Sequence, residues 1–175
     1  MNKWDRYFFN IAYGVANNSK CMSRKIGAVI AKDKYIISTG YNGAPRGCKD
    51  CCEKEEFPPT TEGRGYVLCF HFYKQCPRKQ LGFQSGEGLH LCPAAHAEMN
   101  AIAIAAKLGH SVEGCSLYLN TFCLPCRECA KVIINAGIVE VVSFSEEAYE
   151  KEGVTGKDLL IEAGVFLRKY EEKKI

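Results

Sequence analysis

Two short motifs constrain the fold more than any other feature of the chain: His96-Ala97-Glu98 and Pro125-Cys126-Arg127-Glu128-Cys129. Each stands where a helix is expected to begin. Ala94 to Leu108 (AAHAEMNAIAIAAKL) is rich in strong helix formers and stops at Gly109, and Cys126 to Asn135 reads as a second helix stopped at Gly137. A thiol in the first turn of a helix meets free N–H groups and the positive end of the dipole, which favour thiolate. The Cys-x-x-Cys spacing turns both sulfurs toward one ion, and His96 from the neighbouring helix would add an imidazole. Three such ligands leave tetrahedral Zn²⁺ an open position for water, whose pKa then falls toward neutrality, whereas a closed structural site uses four. Glu98 lies about 200° round an ideal helix from His96. It is expected to serve the water as acid and base, not to bind the metal. A chain that satisfies both motifs must bring two helix starts together.

The remaining pattern supplies a frame for that meeting. Trp4, Phe8, Ile11 and Val15 recur in steps of three and four, which predicts an amphipathic helix from Trp4 to about Asn18. Ile26 to Ala31 and Tyr35 to Tyr41 flank the polar turn Lys32-Asp33-Lys34 and predict an antiparallel hairpin. Further on, Ser116 to Asn120 and Val139 to Phe144 read as strands, Leu159 to Ala163 as a helix ended by Gly164, and Val165 to Arg168 as a last strand. A hairpin followed by alternating helices and strands predicts an α/β fold, with a mixed sheet covered by helices on both faces and a single domain over 1–175.

Residues 47–93 break the pattern. They are rich in Pro, Gly and Cys, and a compact domain rarely carries so long a loop without structure. The chain has 11 cysteines, an odd number. Its start, MNKWDRYFFNIAYGVANN, lacks the basic stretch, apolar run and cleavage site of an export signal, so a reducing cytoplasm is expected, with thiols that bind metal or pack. No apolar run approaches the roughly 18 residues of a membrane helix. The 23 basic and 20 acidic residues are interspersed, so neither a membrane nor a nucleic acid is an expected partner.

His-x-Glu followed by Pro-Cys-x-x-Cys is the signature of zinc-dependent nucleobase deaminases. Together with CMSRKIGAVIAKDKYIISTGYNGAP, HAEMNAI and TFCLPCRECAKVIINAGI, it makes residues 4–46 and 94–145 resemble the deoxycytidylate deaminase family. The element Gly40-Tyr41-Asn42-Gly43 is closer to that family than to tRNA adenosine or guanine deaminases. The resemblance implies a three-layer α-β-α cytidine-deaminase-like fold with a mixed five-stranded sheet and a cysteine-rich insertion at about 47–93. It implies hydrolysis of dCMP to dUMP and ammonia, supplying thymidylate synthesis. It also implies a homo-oligomer, often a hexamer, activated by dCTP and inhibited by dTTP, with Mg²⁺ accompanying a triphosphate effector. Some members carry a second, structural zinc near the insertion.

The residues carry matching expectations. Phe122, Ile26 and Tyr118 are candidate walls for a pyrimidine, Asn42 for a sugar hydroxyl, and Arg24, Lys25, Arg46 and Asn100 for a 5′-phosphate. An effector would meet Gly43, whose backbone a ligand could approach, and Arg46. Ordering a segment as long as 47–93 costs roughly 1–2 kcal/mol per residue, and a structural zinc worth roughly 10–16 kcal/mol would offset part of that. Cys48, Cys51, Cys52, Cys76 and Cys92 are the pool for it, with Cys21, Cys69, His71 and His90 in reserve; Cys48, Cys51, Cys76 and Cys92 are the first choice. Two rival readings remain. A nucleic-acid editing deaminase, such as one acting on tRNA adenosine, needs a basic, aromatic-rich surface. A non-catalytic zinc scaffold has no use for Glu98.

Overall fold

The computed structural model describes residues 3–50, 76–84 and 87–171. Five strands form one sheet: β1 (Gly27–Lys32), β2 (Tyr35–Tyr41), β3 (Ser116–Leu119), β4 (Glu140–Ser143) and β5 (Phe166–Lys169), in the order β2-β1-β3-β4-β5. β1 is antiparallel to both β2 and β3, while β3, β4 and β5 run parallel. Parallel neighbours need a crossover, and α4 (Arg127–Asn135) and α5 (Gly156–Glu162) supply the two required.

Side-chain alternation sorts the core into two layers. Ala28, Ile30, Leu117, Leu119 and Val141 face the side covered by α3 (Ala97–Lys107), α4 and α5; Val29, Ala31, Tyr118 and Val142 face α1 (Lys3–Ala16). The result is the expected three-layer α-β-α arrangement around a mixed five-stranded sheet. The α1 layer is tied down by Asp5, which is buried and accepts two bonds from the Arg168 guanidinium (2.8 and 2.9 Å) and one from the Tyr118 hydroxyl (3.1 Å). No described helix is long and apolar enough to cross a membrane.

On the opposite face the height of α3 is set by small residues. Ala97, Ala101 and Ala105 are fully buried along one stripe. A Cβ on Gly40 of β2 would stand 2.3 Å from the Ala101 nitrogen and 2.5 Å from the Ala97 oxygen, so glycine is what lets α3 lie this close.

Several boundaries differ from the sequence expectation. His96 and Cys126 are not inside their helices but are the N-caps of α3 and α4, with extended backbone (ψ 155° and 166°). α5 starts at Gly156 and not at Leu159, because Thr155 and Asp158 form a capping box. In the cysteine-rich segment the structure has a short helix, α2 (Pro77–Gln80), and a 3-10 turn at Leu89–Leu91. Cys51, Cys52, Cys69 and His71 lie outside the described residues.

Candidate active site

The N-caps of α3 and α4 stand side by side. His96 Nδ1 is 3.3 Å from the Cys126 sulfur and 3.3 Å from the Cys129 sulfur, and all three donor atoms lie within 4.8 Å of one another. Zn–N of about 2.0–2.1 Å and Zn–S of about 2.3 Å would put N and S roughly 3.5 Å apart along a tetrahedral edge. The donor set therefore fits zinc in identity and in spacing. Cys126 at the N-cap and Cys129 at the third position of the helix are the positions whose side chains meet in a capping box. That is why Cys-x-x-Cys converges here without help from the rest of the fold.

The group shares protons where a cation would replace them. Cys126 is pulled down to about 4, first by the hydrogen bond it accepts from Cys129 and then by His96. Cys129 is pushed up, because it donates that bond and is buried. His96 is pushed up mainly by its bond to Cys126. The loop before α4 is clamped from behind. A Cβ on Gly156 would come 2.2 Å from the Pro125 oxygen, so α5 presses directly on the Pro125–Cys126 turn. The Glu150 carboxylate accepts from the backbone nitrogens of Arg127 and Gly156, joining the starts of both helices.

A cleft of about 670 Å³, counting the open space at its mouth, lies over this group. His96, Glu98 and Cys126 form its floor, Ile26, Leu124 and Tyr149 are apolar or aromatic wall, and Asn42, Arg24 and Arg78 bring polar groups. Glu98 is only 7% exposed. Burial pushes its carboxyl above the ordinary range, against the opposing pull of His96. The Asn42 carboxamide accepts from the Ile26 nitrogen (2.8 Å) and donates to the Arg24 oxygen (2.9 Å), clasping the end of β2 to the start of β1. That leaves one N–H of its amide for a ligand.

The structure thus gathers His96, Cys126, Cys129, Glu98, Asn42, Ile26 and Arg24, and corrects several other expectations. Tyr118 is on the wrong face: strand alternation turns Leu117 and Leu119 toward α3 and Tyr118 toward α1, where its hydroxyl donates to Asp5. Phe122 is 74% exposed and stacks on Phe144 at 5.2 Å, while its neighbours Thr121 and Cys123 line the cleft. Lys25 reaches away to the Asn17 oxygen (3.5 Å) at the end of α1. Asn100 donates to the Tyr41 oxygen (2.7 Å), closing the end of β2. Arg46 is exposed and lines neither this cleft nor the smaller cavity beside it.

Gly43 bridges to Ala95, one residue before His96, through a pair of backbone bonds (3.2 and 2.8 Å). Its nearest neighbour to a Cβ would be the Tyr41 ring at 3.6 Å, an ordinary contact, so the fold does not demand glycine there. Of the second-zinc set, Cys48 is exposed and does not line the small cavity that Cys76 and Cys92 share with Cys21. Among the described residues only His96, Cys126 and Cys129 bring three ligand atoms together. Sequence reasoning missed Arg78, Tyr149 and Glu150. All three sit in stretches with neither motif nor periodicity, so nothing local marks them.

A family model of the cytidine and deoxycytidylate deaminase zinc-binding region matches residues 2–145. The chain is 35% identical over 171 residues to the deoxycytidylate deaminase of Enterobacteria phage T4, covering 89% of this chain and 83% of the phage protein. It is 35% identical over 173 residues to that of Mus musculus, covering 98% and 82%. Among solved structures, it resembles the dCMP deaminase of cyanophage S-TIM5 in complex with dCMP and dUMP. The TM-score is 0.66 and the identity 25%, over 97% of this chain and 99% of the other.

Proposed function

The chain belongs to the cytidine and deoxycytidylate deaminase zinc-binding family, and from that premise we propose that it hydrolyses dCMP to dUMP and ammonia. The observation that carries this reading is the convergence, on the floor of one cleft, of a His-Cys-Cys ligand set and a buried carboxyl. The solved relative that holds dCMP and dUMP supports the same choice of substrate.

His96, Cys126 and Cys129 would hold the metal. Zinc, when bound, supplies a Lewis acid that makes water nucleophilic near neutral pH. The chain's own residues do the rest. Ile26, Leu124 and Tyr149 enclose the cytosine, Asn42 offers its remaining amide N–H to a sugar hydroxyl, and Arg24 faces the 5′-phosphate. Glu98 takes a proton from the attacking water and gives it to N3 as the C4–O bond forms. The second water proton then passes through the same carboxyl to N4. The C4–N4 bond breaks, NH₃ leaves and C4 becomes a carbonyl. A carboxyl raised by burial is suited to this, because it can hold a proton as well as release one.

The product feeds thymidylate synthesis, in the cytoplasm. The enzyme is a homo-oligomer, a hexamer, regulated by dCTP and dTTP with Mg²⁺, at the loop that runs from Gly43 to Arg46. The Gly43–Ala95 bridge supports that placement, since it links the loop to the residue before His96. A second, structural zinc is held by the cysteine-rich segment. Cys21, Cys76 and Cys92 line one small cavity, which supports it, although their three sulfurs are not gathered as closely as the donor atoms of His96, Cys126 and Cys129. Turnover measured side by side on dCMP, cytidine, dCTP and a tRNA anticodon arm tests the function. Preference for the tRNA arm, or no turnover of any, refutes it. Two zinc ions per chain support the second site, and one refutes it.

A further inference from the structure

The cleft holds a cation that no motif announced. Arg78 sits in α2, within the cysteine-rich segment, and lines both the cleft and the smaller cavity beside it. Its turn is braced by backbone bonds from Gln80 to the Cys76 oxygen (3.1 Å) and from Phe83 to the Arg78 oxygen (3.0 Å). The side chain itself is poorly served. Its Nε is buried with no hydrogen-bond partner among the described residues, and one terminal nitrogen reaches the Gln84 oxygen only at 3.5 Å. A buried guanidinium N–H without a partner is costly, and a positioned one is well suited to an anion.

The surroundings say which anion. Arg78 lines the cleft together with His96, Tyr149 and Cys92. Arg24 lines the same cleft, with its guanidinium over the Tyr149 ring at 6.0 Å. The only acidic side chain among the described lining residues is Glu98, on the floor. Two guanidiniums and a single carboxyl therefore line, among the described residues, the cleft that would take the nucleotide.

We infer that Arg78 is the residue by which this chain selects a nucleotide over the corresponding nucleoside, its guanidinium fork binding the 5′-phosphate together with Arg24. The inference rests on the function proposed above. It goes further by assigning phosphate selectivity to the cysteine-rich segment and not to the motifs shared across the sheet. Arginine suits this task because its fork binds phosphate oxygens in pairs, which lysine cannot do.

The test compares kcat/KM for dCMP and for deoxycytidine in wild type, Arg78→Gln and Arg78→Lys, with zinc content measured in each. Arg78→Gln is expected to lower the dCMP-to-deoxycytidine ratio by about 10- to 100-fold, the range for losing a charge-assisted bond. Arg78→Lys should restore part of that ratio. The relative affinities for dUMP and deoxyuridine, measured by calorimetry, should move the same way and do not depend on turnover. If both substrates lose equally and the ratio stays put, Arg78 merely supports the segment and the inference is overturned. Wild-type protein that fails to deaminate dCMP overturns the proposed function itself. Wild-type activity with an unaltered ratio in Arg78→Gln overturns only the role of Arg78.

Discussion

Gly40→Ala should damage the reaction far more than it damages the fold. The new methyl would stand 2.3 Å from the Ala101 nitrogen and 2.5 Å from the Ala97 oxygen, where ordinary contact begins near 3.4 Å. Both neighbours are backbone and cannot rotate aside, so α3 must retreat by about 1 Å. Overpacking of this kind costs roughly 1–3 kcal/mol, and the reduced freedom of the unfolded chain returns about 0.4–1 kcal/mol. A net loss of about 1–2 kcal/mol lowers the Tm by roughly 2–8 °C for a domain this size. Activity should fall much further. α3 carries Glu98 and starts at His96, and a misplacement of about 1 Å at reacting groups can cost about 10²-fold. Gly27→Ala is the control. Its methyl would come 2.1 Å from the Ala12 oxygen on the opposite face of the sheet, a collision of equal severity that displaces α1 and not α3. The assay is thermal unfolding beside kcat/KM for dCMP in both variants. Similar Tm losses are expected, with activity near wild type in Gly27→Ala and about a hundredfold lower in Gly40→Ala. If the two variants lose activity in equal measure, or Gly40→Ala keeps it, the coupling of helix height to catalysis is wrong.

Glu98→Gln should keep the metal and the fold yet lose roughly 10²–10⁴-fold in kcat; a near wild-type rate would remove the carboxyl from the reaction. Cys129→Ser should bind substantially less zinc and lose activity with it, and chelated wild type should regain turnover when Zn²⁺ is restored, as metal analysis and kinetics would establish. Asp5→Ala leaves the Arg168 guanidinium and the Tyr118 hydroxyl without their shared partner. It should cost about 1–3 kcal/mol by denaturant titration, held down because the Arg168 side chain is 30% exposed, and should leave metal content alone.

What the sequence made legible was what the local chain decides. The Cys126–Cys129 pair converges because the first turn of a helix brings those two positions together, and the ends of α3 and α4 follow from Gly109 and Gly137, both in left-handed backbone. Tyr118 and Phe122 were misplaced for a different reason. Alternation along Leu117-Tyr118-Leu119 tells that Tyr118 opposes its neighbours, but not which face meets α3. That is fixed by how α1 and α3 divide the sheet between them, through Gly27 on one side and Gly40 on the other. Arg78, Tyr149 and Glu150 were invisible because each acts from a loop or a short turn, where neither period nor spacing points at the cleft. Lys25 and Asn100 failed on reach: one bonds to the end of α1 and the other to the end of β2.

Two effects compete at Glu98, and their sizes decide how it can act. It lies in the first turn of α3, where the helix dipole favours the ionised form by about 0.3–1 kcal/mol, and the charge on His96 pulls the same way. Burial favours the neutral form, and it is the largest cause acting on this carboxyl. Burial wins, and the carboxyl is raised. The same helix end on α4 does the opposite at Cys126, where Cys129 and His96 donate to the sulfur and hold it down to about 4. The two helix starts are alike in backbone and differ in what surrounds the side chain. One therefore presents a thiolate ready to bind a cation, and the other a carboxyl that can carry a proton between water and a ring nitrogen. An exposed glutamate in the first turn of α3 would stay ionised and make a poor carrier, so the 7% exposure of Glu98 is as much a part of the proposed chemistry as its position.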